Sequence, residues 1–359
     1  MAYTTIDDPS KYFQTALYAS TGNGANITVT NDGNSDLQPD WLWIKVRDGA
    51  NNHDTFDSSR GITSKRLFPN LNNAEDSNGI ESVSSDGFTT GTSIGNINNT
   101  SGANNYVAWQ WKANGGTTTT NDASSTGVGS IDSVYQANTT AGLSIVTWTG
   151  TGSAATIAHG LGATPQVVIL KSRDNAHDWF VAHNSMHSTP WEKYLRLHET
   201  GAVADDVIWN DTAPTSTVFS VGSYDSTNGN NVKLVAYCFA EKQGYSKFGG
   251  YTGNGNANGT FVYTGFKPAW ILVKRTDSTN GWFLMDNKRS PFNLTNDYLR
   301  PNASDAEGEA ANSVWDTLSN GFKLRGSGAD VNADGSLFVY MAFAESPFVS
   351  SEGVPTTAR

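Results

Sequence analysis

Three stretches of the chain are versions of one another, and whatever the chain folds into must use the same plan three times. Pro39-Asp40-Trp41-Leu42-Trp43-Ile44-Lys45-Val46-Arg47-Asp48 aligns without a gap on Pro165-Gln166-Val167-Val168-Ile169-Leu170-Lys171-Ser172-Arg173-Asp174. Pro268-Ala269-Trp270-Ile271-Leu272-Val273-Lys274-Arg275-Thr276-Asp277 is the third copy. Each begins at a proline, runs through apolar residues to a lysine, and closes on an aspartate. An aromatic pair follows, Trp179-Phe180 and Trp282-Phe283, with Thr55-Phe56 as its degenerate match. Each copy ends in a strand-like run: Val107-Ala108-Trp109-Gln110-Trp111, Val235-Ala236-Tyr237-Cys238-Phe239 and Val339-Tyr340-Met341-Ala342-Phe343.

The repeat divides the 359 residues into a divergent module 1 (1–115), a Gly/Ser/Thr-rich linker (116–140), module 2 (141–243) and module 3 (244–359). Such a linker composition favours flexible chain, and about 100 residues per module suffice for a modest core. Gly, Asn, Thr and Ser are abundant, charges are few, and aromatics make up 11%. That is the usage of stiff strands separated by turns. Turn dipeptides such as Asn23-Gly24, Asp86-Gly87, Asn254-Gly255 and Asp334-Gly335 separate the runs. The fold class expected is all-β, three tandem β-sandwich-like modules with short helices only. The longest helical pattern spans Ser304 to Leu318, with Ser304 as cap before Glu307.

In the first run Trp41 and Trp43 point one way and Leu42 and Ile44 the other. Such a strand is buried on both faces, or buried on one and covered by a neighbouring module on the other. Lys45, Lys171 and Lys274 are expected to snorkel out of that core. The repeated tryptophans Trp41, Trp43, Trp270 and Trp282 read as packing, and so does Trp148, which matches Tyr251.

Several functions are disfavoured. A net charge of −11 without a clustered Lys/Arg face argues against nucleic-acid or anionic-membrane binding. No apolar run is long enough to span a bilayer. Cys238 stands alone in a closing strand and reads as a small buried hydrophobe. The first residues lack the pattern of a signal peptide, so folding in a cytoplasm is expected. No motif of nucleophilic catalysis, phosphate binding or dinucleotide binding is present, and the carboxylates give no pairing by spacing.

Two constellations remain. Five of six histidines lie in module 2, and His183 and His187 are four apart, as two metal ligands on one helical face would be. The surrounding residues read as a loop, so with His198 and Trp191 they are taken as candidate ligand-binding residues. Trp191, in Ser188-Thr189-Pro190-Trp191, has no aromatic counterpart in the other modules. Asp330, Asn332 and Asp334 have the Asp-x-Asn-x-Asp-Gly spacing of a Ca²⁺ loop, but Met341 stands where a bidentate Glu belongs. A turn is the stronger reading, with Ca²⁺ the one candidate ion and no cofactor expected.

The run Ala236-Tyr237-Cys238-Phe239-Ala240-Glu241, the segment from Gly244-Tyr245-Ser246 to Gly253-Asn254-Gly255, and His159-Gly160-Leu161-Gly162 together resemble a module in virion proteins of tailed bacteriophages, marine ones above all. Pro214-Thr215-Ser216-Thr217-Val218-Phe219 and the opening Met1 to Phe13 share the resemblance, and module 1 departs from it most. The resemblance implies a non-enzymatic structural protein of a tail fibre or surface appendage, located in the virion and involved in host attachment. It implies other virion proteins as partners, a homo-oligomer such as a trimer, and a host surface glycan as ligand. A capsid-decorating or connector protein, or a polysaccharide-binding or depolymerising protein, are the alternatives. The family supplies no catalytic residues.

Overall fold

The structure, a computed structural model, describes residues 2–92, 94–99 and 101–357. It is all-β. Each module builds one main sheet with the same strand order: a leading strand, the closing strand, the run strand, and a pair strand. In module 1 these are Phe13–Ala19, Asn105–Trp111, Trp41–Val46 and Asp54–Asp57. In module 3 they are Ser246–Thr252, Leu337–Pro347, Phe266–Arg275 and Phe283–Asp286. Module 2 uses Leu143–Thr149, Lys233–Phe239, Val167–Ser172 and Trp179–His183, and its sheet extends to eight strands. All the neighbouring pairs are antiparallel.

A small sheet covers one face of each main sheet. It pairs Thr28–Thr30 with Gly87–Thr89 in module 1, Ala155–Ala158 with Val218–Val221 in module 2, and Phe261–Tyr263 with Gly321–Leu324 in module 3. Between the two layers lies a core private to the module: Leu42, Ile44 and Phe88 in the first, Val168, Leu170 and Phe219 in the second, Ile271, Val273 and Phe322 in the third. The other face of every main sheet enters one common core. There Trp41, Trp43, Trp109 and Trp111 meet Ile169, Tyr237 and Phe239 and also Trp270, Leu272 and Phe343. Period-two alternation sends large residues to both faces, which is why the runs are apolar throughout.

The modules close into a ring, since the same contacts recur at all three interfaces. Glu75 N–H donates to Arg173 O, Val203 N–H to Thr276 O, and Glu307 N–H to Arg47 O, at 2.7, 2.9 and 2.6 Å. A second set runs the other way round. Trp179 Nε1 donates to Phe68 O, Trp282 Nε1 to Arg196 O, and His53 Nε2 to Arg300 O, at 2.9, 2.9 and 3.1 Å. Each links module 1 to 2, 2 to 3, and 3 back to 1. His53 therefore holds the place of Trp179 and Trp282, as the register also requires, and Thr55 does not. The spacing from the repeated lysine is the same in every copy (Lys45 to His53, Lys171 to Trp179, Lys274 to Trp282), and Phe56 aligns with Ala182 and Met285.

Three other expectations change. The three lysines do not snorkel. Lys45, Lys171 and Lys274 are fully buried, and their ammoniums cap backbone carbonyls: Val46 O and Gly49 O, Ser172 O and Asn175 O, and Arg275 O. The aspartate three residues on binds the closing strand instead. Asp48 accepts from Asn105 N–H, Asp174 from Lys233 N–H, and Asp277 from Leu337 N–H. Segment 116–140 is not a bare tether, for Thr119–Asn121 and Ser133–Asn138 add two strands to the edge of module 2. Its alternation explains this: Tyr135 packs toward the private core of module 2 and Gln136 is buried on the opposite face. Ser304 to Leu318 is no helix, because Glu307 is drawn into ion pairs with Arg47 and Arg289, and Trp315–Leu318 pairs as a strand. Tertiary pairing overrides the local helical pattern.

Candidate functional site

The sequence-predicted residues are dispersed. His183 ends its strand fully buried, with Nδ1 accepting from Ser185 N–H and Nε2 donating to Tyr340 O at 3.0 Å. Burial pushes its pKa down to about 4, so the ring is a neutral interface residue. His187 is exposed and accepts from Thr189 N–H in its own loop. Trp191 is half-buried, edge-on to Trp209 at 6.2 Å. His198 lies 3.2 Å from Asp178 and 3.6 Å from Glu199. These three groups converge as a metal site would, but Arg196 already pairs with both carboxylates, at 2.6 and 3.2 Å. A guanidinium that already holds both carboxylates competes with a cation for them.

The Asp-x-Asn-x-Asp-Gly segment is a single helical turn, Ala329–Asn332, leading into the closing strand. The amide of Asn332 is buried, accepting from Asn254 N–H and donating to Asn256 O and Gly326 O. Asp330 faces Arg300 and Asn280. The oxygens of Asn332 and Asp330 are thus already engaged by protein donors, and Asn228 fills the same role in module 2 through Trp148, Thr151 and Ser153. Buried, Cys238 has its thiol pushed well up, as an inert core residue would.

Two features were not foreseen. The outermost strand of the module 3 small sheet, Phe261–Tyr263, points Phe261 and Tyr263 to solvent, 44% and 53% exposed. The residues in register in the other modules are Thr28 and Thr30, and Thr156 and Ala158. Tyr3 reaches the same place, its hydroxyl 3.2 Å from that of Tyr263. Lys323 lies beside Phe261 across the strand pair, and Asp316 beside Lys323. An aromatic strip flanked by a cation, a carboxylate and two phenols can stack on a flat apolar ring face and hydrogen-bond its rim. The signal in the sequence was one column of the repeat, threonine in two copies and phenylalanine in the third.

The second feature is a cavity of about 420 Å³ between the leading strand of module 1 and module 3, lined among others by Phe13, Thr15, Ala269, Asn287 and Lys288. Thr15 is 4% exposed, and its Oγ1 has no hydrogen-bond partner.

Among the described residues no helix is long and apolar enough to cross a membrane. A family model described as "Domain of unknown function (DUF7483)" matches residues 8–347. No curated protein matches the chain, and no solved structure does.

Proposed function

The chain belongs to the DUF7483 family, and because that membership brings no activity with it, we propose from its architecture and its resemblance that it is a non-enzymatic structural protein of a tailed-phage virion. In this reading it is a tail-fibre or appendage component that contacts a host surface glycan. One observation carries the attachment role: Phe261 and Tyr263 are exposed on a regular strand where the other two modules present small residues. Shared positions of the repeat are buried scaffold, so a contact surface belongs where the modules differ. Single contacts of this kind are weak, and several copies in one particle would raise their effective strength.

The test has two arms. Antibodies against the protein should label intact particles at an appendage and block adsorption to host cells. Purified protein should bind extracted host envelope glycan, and Phe261→Ala with Tyr263→Ala should abolish that binding while leaving thermal unfolding unchanged. Labelling confined to the capsid shell or a connector would move the protein to the capsid-decorating or connector alternative. A depolymerase would release new reducing ends from host polysaccharide, and that result would overturn the non-enzymatic reading.

A further inference from the structure

The ring contains three equivalent crevices, each between the leading strand of one module and the module before it. Two of them are closed, each in its own way. Where module 2 meets module 1, the added strand Ser133–Asn138 lies antiparallel along the leading strand, with Gln136 opposite Ile145 and Asn138 opposite Leu143. Gln136 is fully buried. Its Nε2 donates to Ser58 Oγ and Ser59 Oγ at 2.9 and 3.0 Å, and its Oε1 accepts from Asn114 N–H and Gly116 N–H at 3.0 and 2.8 Å. Asn138 Nδ2 donates to Ala113 O at 3.0 Å. Where module 3 meets module 2, no strand is added. The Glu241 carboxylate takes the edge instead, accepting from Phe248 N–H and from Lys247 Nζ, both at 2.8 Å.

The third crevice, where module 1 meets module 3, is the 420 Å³ cavity. Part of its lining corresponds to the site that holds Gln136, while Ser10, Gln14 and the turn at Asp32, which pairs with Lys288 at 2.7 Å, belong to this crevice alone. Phe13 and Thr15 stand for Leu143 and Ile145, since Phe13 pairs with Trp111 as Leu143 pairs with Phe239. Asn287 and Lys288 stand for Ser58 and Ser59, and Ala344 for Lys112. Glu345 stands where Glu241 does in the repeat, but its carboxylate is turned to Lys267 and Asn287, at 2.9 and 2.5 Å. The unpartnered Thr15 hydroxyl lies where Ile145 faces Gln136.

The backbone agrees. Lys112 N–H donates to Tyr12 O and Ser20 N–H to Asn104 O, both at 2.9 Å, which assigns the even-numbered residues to the ladder with the closing strand. Alternation of antiparallel bonding then turns the N–H and C=O groups of Phe13, Thr15 and Leu17 toward the free edge. In module 2 the same groups of Leu143, Ile145 and Thr147 face the added strand.

We propose that this crevice is the docking site for one extended strand of a partner protein, laid antiparallel beside Phe13–Ala19 with a Gln or Asn side chain opposite Thr15 and against Asn287 and Lys288. Main-chain bonds supply affinity in such strand addition, and the pocketed side chain supplies selectivity. The occupant's chemistry is set by the molecule's own strand in the equivalent crevice. The inference does not depend on a virion role.

The probe is a synthetic peptide with the sequence of residues 131–139, added to the full chain. Saturable binding is expected, with hydrogen-exchange protection at residues 13–19 and 286–290. A peptide with Ala in place of Gln136 should bind about tenfold more weakly, the loss of one buried amide network. Leu17→Pro in the protein removes one outward N–H from an exposed edge position, where proline is tolerated. It should abolish binding without shifting the unfolding midpoint. No binding at about 1 mM peptide, equal binding of the Ala peptide, or protection elsewhere would overturn the proposal. So would sedimentation showing the protein alone to be a dimer that Leu17→Pro splits, since the occupant would then be a second copy. Protection of residues 13–19 by oligosaccharide but not by peptide would overturn it too.

Discussion

Asp57, His183 and Asp286 occupy one column of the repeat, and with Arg60, Met186 and Arg289 they show how a buried charge is kept or given up. Asp57 pairs with Arg60 and accepts from Tyr237 of module 2, while Asp286 pairs with Arg289 at 2.6 Å and accepts from Trp109 of module 1. Glu75 joins Arg60 to Arg173, and Glu307 joins Arg289 to Arg47. At the remaining interface the corresponding four residues are His183, Met186, Val203 and Thr276, and all are neutral. A buried ion pair gains little over a neutral replacement, but an orphaned partner is costly. Arg60→Met alone should therefore destabilise the chain by about 3–5 kcal/mol. Replacing the whole set with Asp57→His, Arg60→Met, Glu75→Val and Arg173→Thr should cost less than that single change. Urea midpoints compare the two, and a quadruple variant less stable than Arg60→Met would refute it. His183 makes a second, pH-dependent prediction. The unfolded ring takes up its proton near pH 6.5, the folded one only near pH 4. Stability present above about pH 6.5 is therefore lost as the pH falls toward 4. Asp54, raised to about 7 by burial, acts in the opposite sense. The test is thus a difference: between about pH 7 and 4.5, the wild type should lose more stability than His183→Gln. Equal losses would refute it. None of these partnerships was legible from composition, which fixed only that charges are few. The columns of the repeat did carry the signal, Asp, His and Asp three residues before Arg, Met and Arg, but matching Thr55-Phe56 to the Trp-Phe pairs set module 1 two residues out of step and hid it.

At the scale of strands the repeat was readable and the edges were not. Apolar runs, closing strands and turn dipeptides marked the main sheets, because strand periodicity is a local property. Which strand lies at an edge, and what covers it, depends on segments far away in sequence. The 116–140 segment shows the difference: its threonines, serines and glycines have the composition of a flexible linker, yet one buried amide, Gln136, anchors a strand. Gln136→Ala leaves two backbone N–H groups and two serine hydroxyls without that partner. It should destabilise the protein by about 1–3 kcal/mol and raise hydrogen exchange in Thr119–Asn121 and Ser133–Asn138 before any other strands. Exchange that rises evenly across all three modules would refute the local anchoring. The exposed strip at Phe261 and Tyr263 was missed for a related reason. Aromatic residues in strands usually mean core, and only the register with Thr28, Thr30 and Thr156 reveals which face they occupy.

For the molecule as a whole, the expectation of modules strung in tandem and the observed ring make opposite thermodynamic predictions. Three self-sufficient sandwiches joined by linkers would unfold independently, each with its own midpoint. Here each main sheet has a private core on one side and the shared core on the other, where seven tryptophans, including Trp41, Trp109, Trp179 and Trp270, lose their water only when all three modules are present. Removing module 3 would expose the faces of Trp43, Trp109 and Trp111 and break both hydrogen-bond sets at two of the three interfaces. Each fully exposed large side chain forfeits about 2–3 kcal/mol. Three together are comparable to the whole stability of an ordinary domain, about 5–15 kcal/mol. The intact chain should therefore unfold in a single cooperative transition, with calorimetric and van't Hoff enthalpies equal. A chain ending at residue 243 should lack that transition and bind a hydrophobic dye. Two or three resolved transitions in the intact chain, or a cooperative transition in the shortened one, would place the stability in the separate sandwiches and leave the common core a mere interface.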